Sequence, residues 1–180
     1  MNIQNNIRFQ LTEEKIENAL ISLLKYKDFQ NIFVKDICSF ANINRSSFYA
    51  HYTDINELMM KIENKYFLEI EKIFKNKSKN NDEKLYEMFV FIKEHKEFYI
   101  AYIKSEKPSH FEKSSFSTFI DINKRSSKDY EDLQGENLIY HMAFFSGGLK
   151  AISKVWLLSN CKKSPREMCD LIKNEYKKFL

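Results

Sequence analysis

With 180 residues, 43% of them hydrophobic, the chain is long enough to bury a sizeable core as one domain or two small ones. Three glycines and two prolines exclude collagen-like or linker-rich structure, and no run approaches the roughly 18 uninterrupted apolar residues of a membrane span. The net charge of +4 is misplaced for a simple nucleic-acid argument, because residues 1–60 hold six basic against seven acidic side chains. Any case for DNA therefore rests on local geometry.

Leu, Ile, Phe, Lys and Glu recur at helical spacing throughout, which predicts an all-α fold. The N-terminal Met-Asn-Ile-Gln-Asn-Asn-Ile-Arg lacks the apolar core of a signal peptide, so a cytoplasmic protein is expected. Thr12, followed by Glu13 and Glu14, reads as the N-cap of a first helix. That helix buries Ile16, Ala19, Leu20, Leu23 and Leu24 on one stripe. Phe29 and Ile32 then lead into Val-Lys-Asp-Ile-Cys-Ser-Phe-Ala, where Val34, Ile37, Cys38 and Ala41 share one apolar face.

Asn42-Ile43-Asn44 is short and polar enough to be only a tight turn. Asn44 caps the next helix by accepting the amides of Ser46 or Ser47. Arg-Ser-Ser-Phe-Tyr-Ala-His-Tyr follows, burying Phe48 and Tyr52 and turning Arg45, Ser46, Ser47, Tyr49 and His51 outward, all of them hydrogen-bond donors. Two short helices joined by such a turn form a helix-turn-helix, whose second helix fits the major groove of DNA. The plain alternative is an ordinary packed helix pair with its polar residues in water.

These residues, from the Ile-x-x-Ala-Leu-x-x-Leu-Leu helix through Val-x-Asp-Ile-x-x-x-Ala to Phe-Tyr-x-His-Tyr and Glu57-Leu58, resemble the N-terminal domain of TetR/AcrR-type bacterial transcriptional regulators. The resemblance covers about residues 12–58. It implies that Arg45 and Ser47 meet base edges or nearby phosphates, and that Tyr49 and His51 contact phosphates. Arg pairs bidentately with guanine, while hydroxyl and imidazole groups donate to phosphate oxygens. Lys35, near the start of the preceding helix, is a further phosphate candidate. Many relatives carry Thr at the position of Phe33 and Lys at that of Ile55, both phosphate contacts absent here, so a shallow salt dependence is expected.

One long helix follows over residues 55–77, with Leu58, Met59, Ile62, Tyr66, Ile70, Ile73 and Phe74 buried. It would link a DNA-binding domain, residues 1–58, to an effector-binding and dimerisation domain, residues 59–180. Residues 75–82 form a polar loop. Residues 83–104 read as helical and rich in aromatic rings. Most of these rings suit packing, but a set comprising Phe89, Tyr99, Tyr102, Phe111, Tyr140 and Phe144 also suits a pocket for a small apolar or planar effector. Phe111, Phe116, Phe119 and Ile120 suggest a further helix, and residues 124–128 a loop.

Residues 136–158 predict a long, mostly apolar helix with adjacent glycines, Gly147 and Gly148, whose cost in a helix suggests that another backbone or a ligand comes close. Ser164-Pro165-Arg166-Glu167 opens the last helix as a capping box. Gly-Gly-Leu-x-x-Ile-x-x-x-Trp followed by Ser-Pro-x-Glu-Met again resembles a subset of the TetR family, in which the last two helices pair with their copies as a four-helix bundle. That implies a homodimer interface of Gly147, Gly148, Leu149, Ile152, Trp156, Met168, Leu171 and Ile172, the alternative being that both helices are intramolecular core.

Cys38, Cys161 and Cys169 are an odd set without ligand spacing, suited to small buried hydrophobes, with a Cys161–Cys169 redox pair the less economical reading. His95, His110 and His141 are too scattered for a metal site. No nucleophile–base pair or phosphate loop argues for an enzyme or a cofactor. The expectation is a homodimeric regulator binding a palindromic operator in double-stranded DNA under control of a small-molecule effector. Repression is the usual logic of that family, with activation left open. The rival is a helical interaction module that partners another regulator or sensor and has little DNA affinity of its own.

Overall fold

The computed structural model describes residues 3–104 and 136–178, and every described element is helical. The readings of residues 108–130, Phe111 included, lie outside these residues. Helix α1 spans Ile3–Leu23, a 3-10 turn Phe29–Asn31, α2 Val34–Ala41, α3 Arg45–Tyr49 and α4 Ile55–Lys75. Then come α5 Asn81–Glu94, α6 Lys96–Lys104, α7 Glu136–Leu158 and α8 Pro165–Lys178.

Helix α1 begins nine residues before Thr12, which therefore caps nothing. The Thr12 hydroxyl instead donates to the Arg8 carbonyl one turn back, at 2.9 Å, a bond that lets Thr sit inside a helix. The expected helix over 83–104 is broken at His95, where the backbone leaves helical geometry and α6 starts afresh. The other starts follow their caps. Asp54 accepts the Glu57 amide, Asn80 and Glu83 form a reciprocal capping box, and Ser164 and Glu167 form another.

Two apolar cores run through the described residues. The first joins Ile16 and Leu20 of α1, Ile37 of α2, Phe48 of α3 and Leu58, Ile62 and Tyr66 of α4. Phe98 and Ala101 of α6 close it, so the helix-turn-helix rests partly on α6. The second joins Ile70 of α4, Leu85, Met88 and Phe89 of α5, Trp156 and Leu157 of α7 and Met168 and Cys169 of α8. Phe89 meets Trp156 edge to face at 5.2 Å, and the indole N–H donates to the Lys163 carbonyl at 2.8 Å. Asp82 pins α5 to α8 by taking Arg166 at 3.1 Å and Lys173 at 2.5 Å.

All three thiols are buried and unbridged, and burial pushes each up from its ordinary value. Among the described residues no helix is long and apolar enough to cross a membrane. No trio of His, Cys, Asp or Glu among them is grouped to hold a metal.

Candidate nucleic-acid interface

The turn between α2 and α3 is built by two asparagines. Asn42 ends α2 in the left-handed region (φ 52°), a conformation Asn tolerates better than most side chains, and its N–H bonds back to Cys38 and Ser39 carbonyls. Half-buried Ile43 plugs the underside through its own bond to Cys38. Asn44 Oδ1 then accepts both the Ser47 amide and the Ser46 hydroxyl, each at 2.7 Å, which starts α3 in a fixed direction.

Phe48 faces inward with no exposure, edge to face on Tyr49, and Tyr52 is buried beside it. This anchors the short helix so that its opposite side stays in solvent. Arg45, Ser46 and Tyr49 are exposed, Tyr49 at 55%, and Ser47 is half exposed. Lys35 is exposed on α2 with its ammonium over the Phe33 ring, 5.6 Å from the centroid. Phe33 itself is exposed, and its amide is held by Asp36, whose carboxyl that bond keeps below the usual range.

His51 is a correction. Expected to face outward, it is only 9% exposed, with its ring stacked on Phe9 at 3.8 Å and 28°. Its Nδ1 has no hydrogen-bond partner among the described residues, and burial keeps the ring's pKa below the ordinary value, against the pull of Glu13. The cause is the early start of α1, which carries Phe9 over the end of the helix-turn-helix. The signal in the sequence was Ile3, Ile7 and Leu11, a four-residue repeat running on upstream of Thr12.

Of the six aromatic residues expected to line a pocket, the five that are described do not converge. Phe89 is core, Tyr99 packs against both cores and Tyr102 stacks on Phe98 at 6.0 Å. Tyr140 and Phe144 lie outward on α7, 69% and 66% exposed, and Phe111 is outside the described residues.

The expected dimer set divides in a similar way. Leu149, Trp156 and Met168 are buried within the chain, and Ile152 and Ile172 pack against that core, with Leu171 half exposed. A helix that must bury its own chain's core cannot offer the same side chains to a partner. Gly147 and Gly148 are exposed, with open space within 4 Å of where a side chain would start, so among the described residues no other backbone comes close there. What the spacing argument missed is the other face of α7. Tyr140, Phe144, Val155 and Leu158 are exposed with the two glycines and Ala151 between them, a continuous apolar stripe.

The arrangement matches known proteins. Residues 79–177 match a TetR C-terminal family model described as "Transcriptional regulator C-terminal region", more than half of the chain. The fold is similar to a solved structure titled "Dihydroxyacetone kinase operon activator DhaS", with TM-score 0.68 and 20% identity over 91% of this chain and 92% of that one. It is also similar to a TetR transcriptional regulator from Streptococcus agalactiae 2603V, with TM-score 0.62 and 21% identity over 94% and 95% of the two chains. None of the curated proteins matches the sequence. With helix-turn-helix, helical body and family model in agreement, the chain belongs to the TetR family of transcriptional regulators.

Proposed function

We propose that the protein is a homodimeric, sequence-specific DNA-binding regulator, with residues 1–58 as its DNA-binding unit and residues 59–180 as its effector and dimerisation unit. The observation that carries this is α3, pinned by buried Phe48 while Arg45, Ser46 and Tyr49 stand in solvent at its other side. Arg45 and Ser47 reach base edges or adjoining phosphates, and Tyr49 and Lys35 hold the backbone. Two heads roughly 34 Å apart enter successive major grooves and read a palindrome.

The outward stripe of α7, from Tyr140 to Leu158, supplies the apolar surface that pairs two copies. Control by a small molecule is supported by an open cleft of about 880 Å³ between the end of α1 and α6, lined by Leu24, Lys25, Phe29, Lys96, Ile100 and Lys104. A ligand there biases the head only through different affinity for its two positions. The solved relative titled an operon activator keeps activation beside repression as the output.

Selecting bound duplexes from a random pool, then titrating the enriched site by fluorescence anisotropy, tests the reading. Salt-sensitive binding to a palindrome is expected. No preference over scrambled duplex would overturn it in favour of an interaction module acting through another regulator.

A further inference from the structure

Sequence and structure disagree most sharply at His51. The motif that resembles the TetR family places it on the DNA side, yet the ring lies under Phe9 with Nδ1 unpartnered among the described residues. Buried polar atoms are nearly always bonded, so an orphaned ring nitrogen at a functional surface calls for a role. We propose that Phe9 is a positioning residue for the DNA-facing surface: the first turns of α1 form an aromatic cover over His51, and lifting that cover delivers the imidazole to a backbone phosphate. This rests on the DNA-binding reading above.

The cover is built to lift. Ile7, Phe9 and Leu11 each stay about half exposed, and the buried core of α1 begins only at Ile16. The turns before Leu11 can therefore fray while Ile16, Ala19 and Leu20 hold the rest of the helix. The C-terminal end of the motif stays in place meanwhile, because Lys61 of α4 donates to the His51 carbonyl at 3.0 Å.

Every charge around the ring bears on the switch. Burial disfavours the cation most, Glu13 of α1 favours it and Lys61 of α4 opposes it. Lys61 is itself paired with Glu57 at 3.2 Å, and the neighbouring Tyr52 phenol is buried and un-ionised. Under the cover His51 is held toward its neutral form, with Nδ1 lacking a partner among the described residues. An uncovered one takes a proton near its ordinary pKa of about 6.5 and donates to phosphate with full charge. Acidification below that value therefore favours the uncovered form.

The test compares wild type, Phe9→Ala, Phe9→Trp, His51→Ala and the Phe9→Ala/His51→Ala pair on the enriched duplex. Circular dichroism checks the fold, and NMR titration follows the His51 imidazole. In Phe9→Ala the imidazole should titrate higher than in wild type, and affinity at pH 7.5 should rise about two- to tenfold, the worth of one aromatic pair. Phe9→Trp should bind more weakly. Affinity should climb on acidification, at a lower pH in wild type than in Phe9→Ala. All gain should vanish in the double variant. An unmoved His51 titration, weaker or unchanged binding by folded Phe9→Ala, or a gain that survives loss of His51 overturns the proposal. A wild type blind to the enriched duplex removes the DNA-binding reading and the proposal with it, whereas a wild type that binds while Phe9→Ala gains nothing removes the proposal alone.

Discussion

Neighbouring side chains in α3 do opposite work, and the difference can be measured. Phe48 has no exposure, so Phe48→Ala should remove about 3–5 kcal/mol of stability by opening a cavity in the first core. Tyr49 stands in solvent one residue on, so Tyr49→Phe should leave the melting temperature unchanged and weaken DNA binding through one lost phosphate contact. A matched loss of stability in Tyr49→Phe would make the hydroxyl structural. Glu57 in the same region ties stability to acid pH. It accepts the Thr53 amide and hydroxyl and pairs with Lys61, which holds its carboxyl down at about 2. A carboxylate depressed in the folded state adds stability that is complete above its ordinary value of about 4.5 and fades as pH falls toward 2. Thermal melts between pH 6 and pH 2 should show this loss in wild type and a flatter profile in Glu57→Gln.

Four of the described helices start where a side chain satisfies one of their first amides. Asn44, Asp54, Asn80 and Ser164 each do this; Asn44 and Ser164 were readable as caps from residue type and spacing, whereas Asn80 lay inside what read as a polar loop. Ser164→Ala should cost about 1 kcal/mol, seen as a drop of a few degrees in the melting temperature. Thr12 shows the limit of the same reasoning. A Thr before two acids looks like a start, but the apolar repeat continues upstream, and the helix continues with it. That one misplaced boundary hid Phe9, and with it the burial of His51. The break at His95 was equally hidden. Neither Gly nor Pro marks it, and its effect is to let α6 turn Phe98 and Ala101 into the core beneath the helix-turn-helix.

Across the whole molecule, α7 buries one face in the chain's own core and leaves the other outward, the face proposed above to pair two copies. Trp156 lies 2% exposed against Phe89, whereas Val155, one residue before it, is 68% exposed. Trp156→Ala should therefore destabilise the fold by about 3–5 kcal/mol. Val155→Glu or Phe144→Glu should leave helicity intact and convert the dimer to monomer in analytical ultracentrifugation. A variant pair that stays dimeric while folded would place the subunit contact elsewhere. If two linked heads read the operator as proposed, the same monomeric variants should also lose most of their binding to the palindrome.

The helical class, the helix-turn-helix and the inward Phe48 and Tyr52 were all legible from the residues, because each depends on periodicity, caps and a turn that act within a few positions of the chain. The same held for the solvent exposure of Arg45, Ser46 and Tyr49. His51, Trp156 and Tyr140 show where that legibility stopped. Whether an apolar or aromatic face meets its own chain, a ligand or a second subunit is a property of distant segments brought together. α7 carries apolar residues all round, so spacing could not rank its faces. The packing of α5 and α8 chose one of them for the core and left the other outward, and the first turns of α1 likewise took His51 out of solvent.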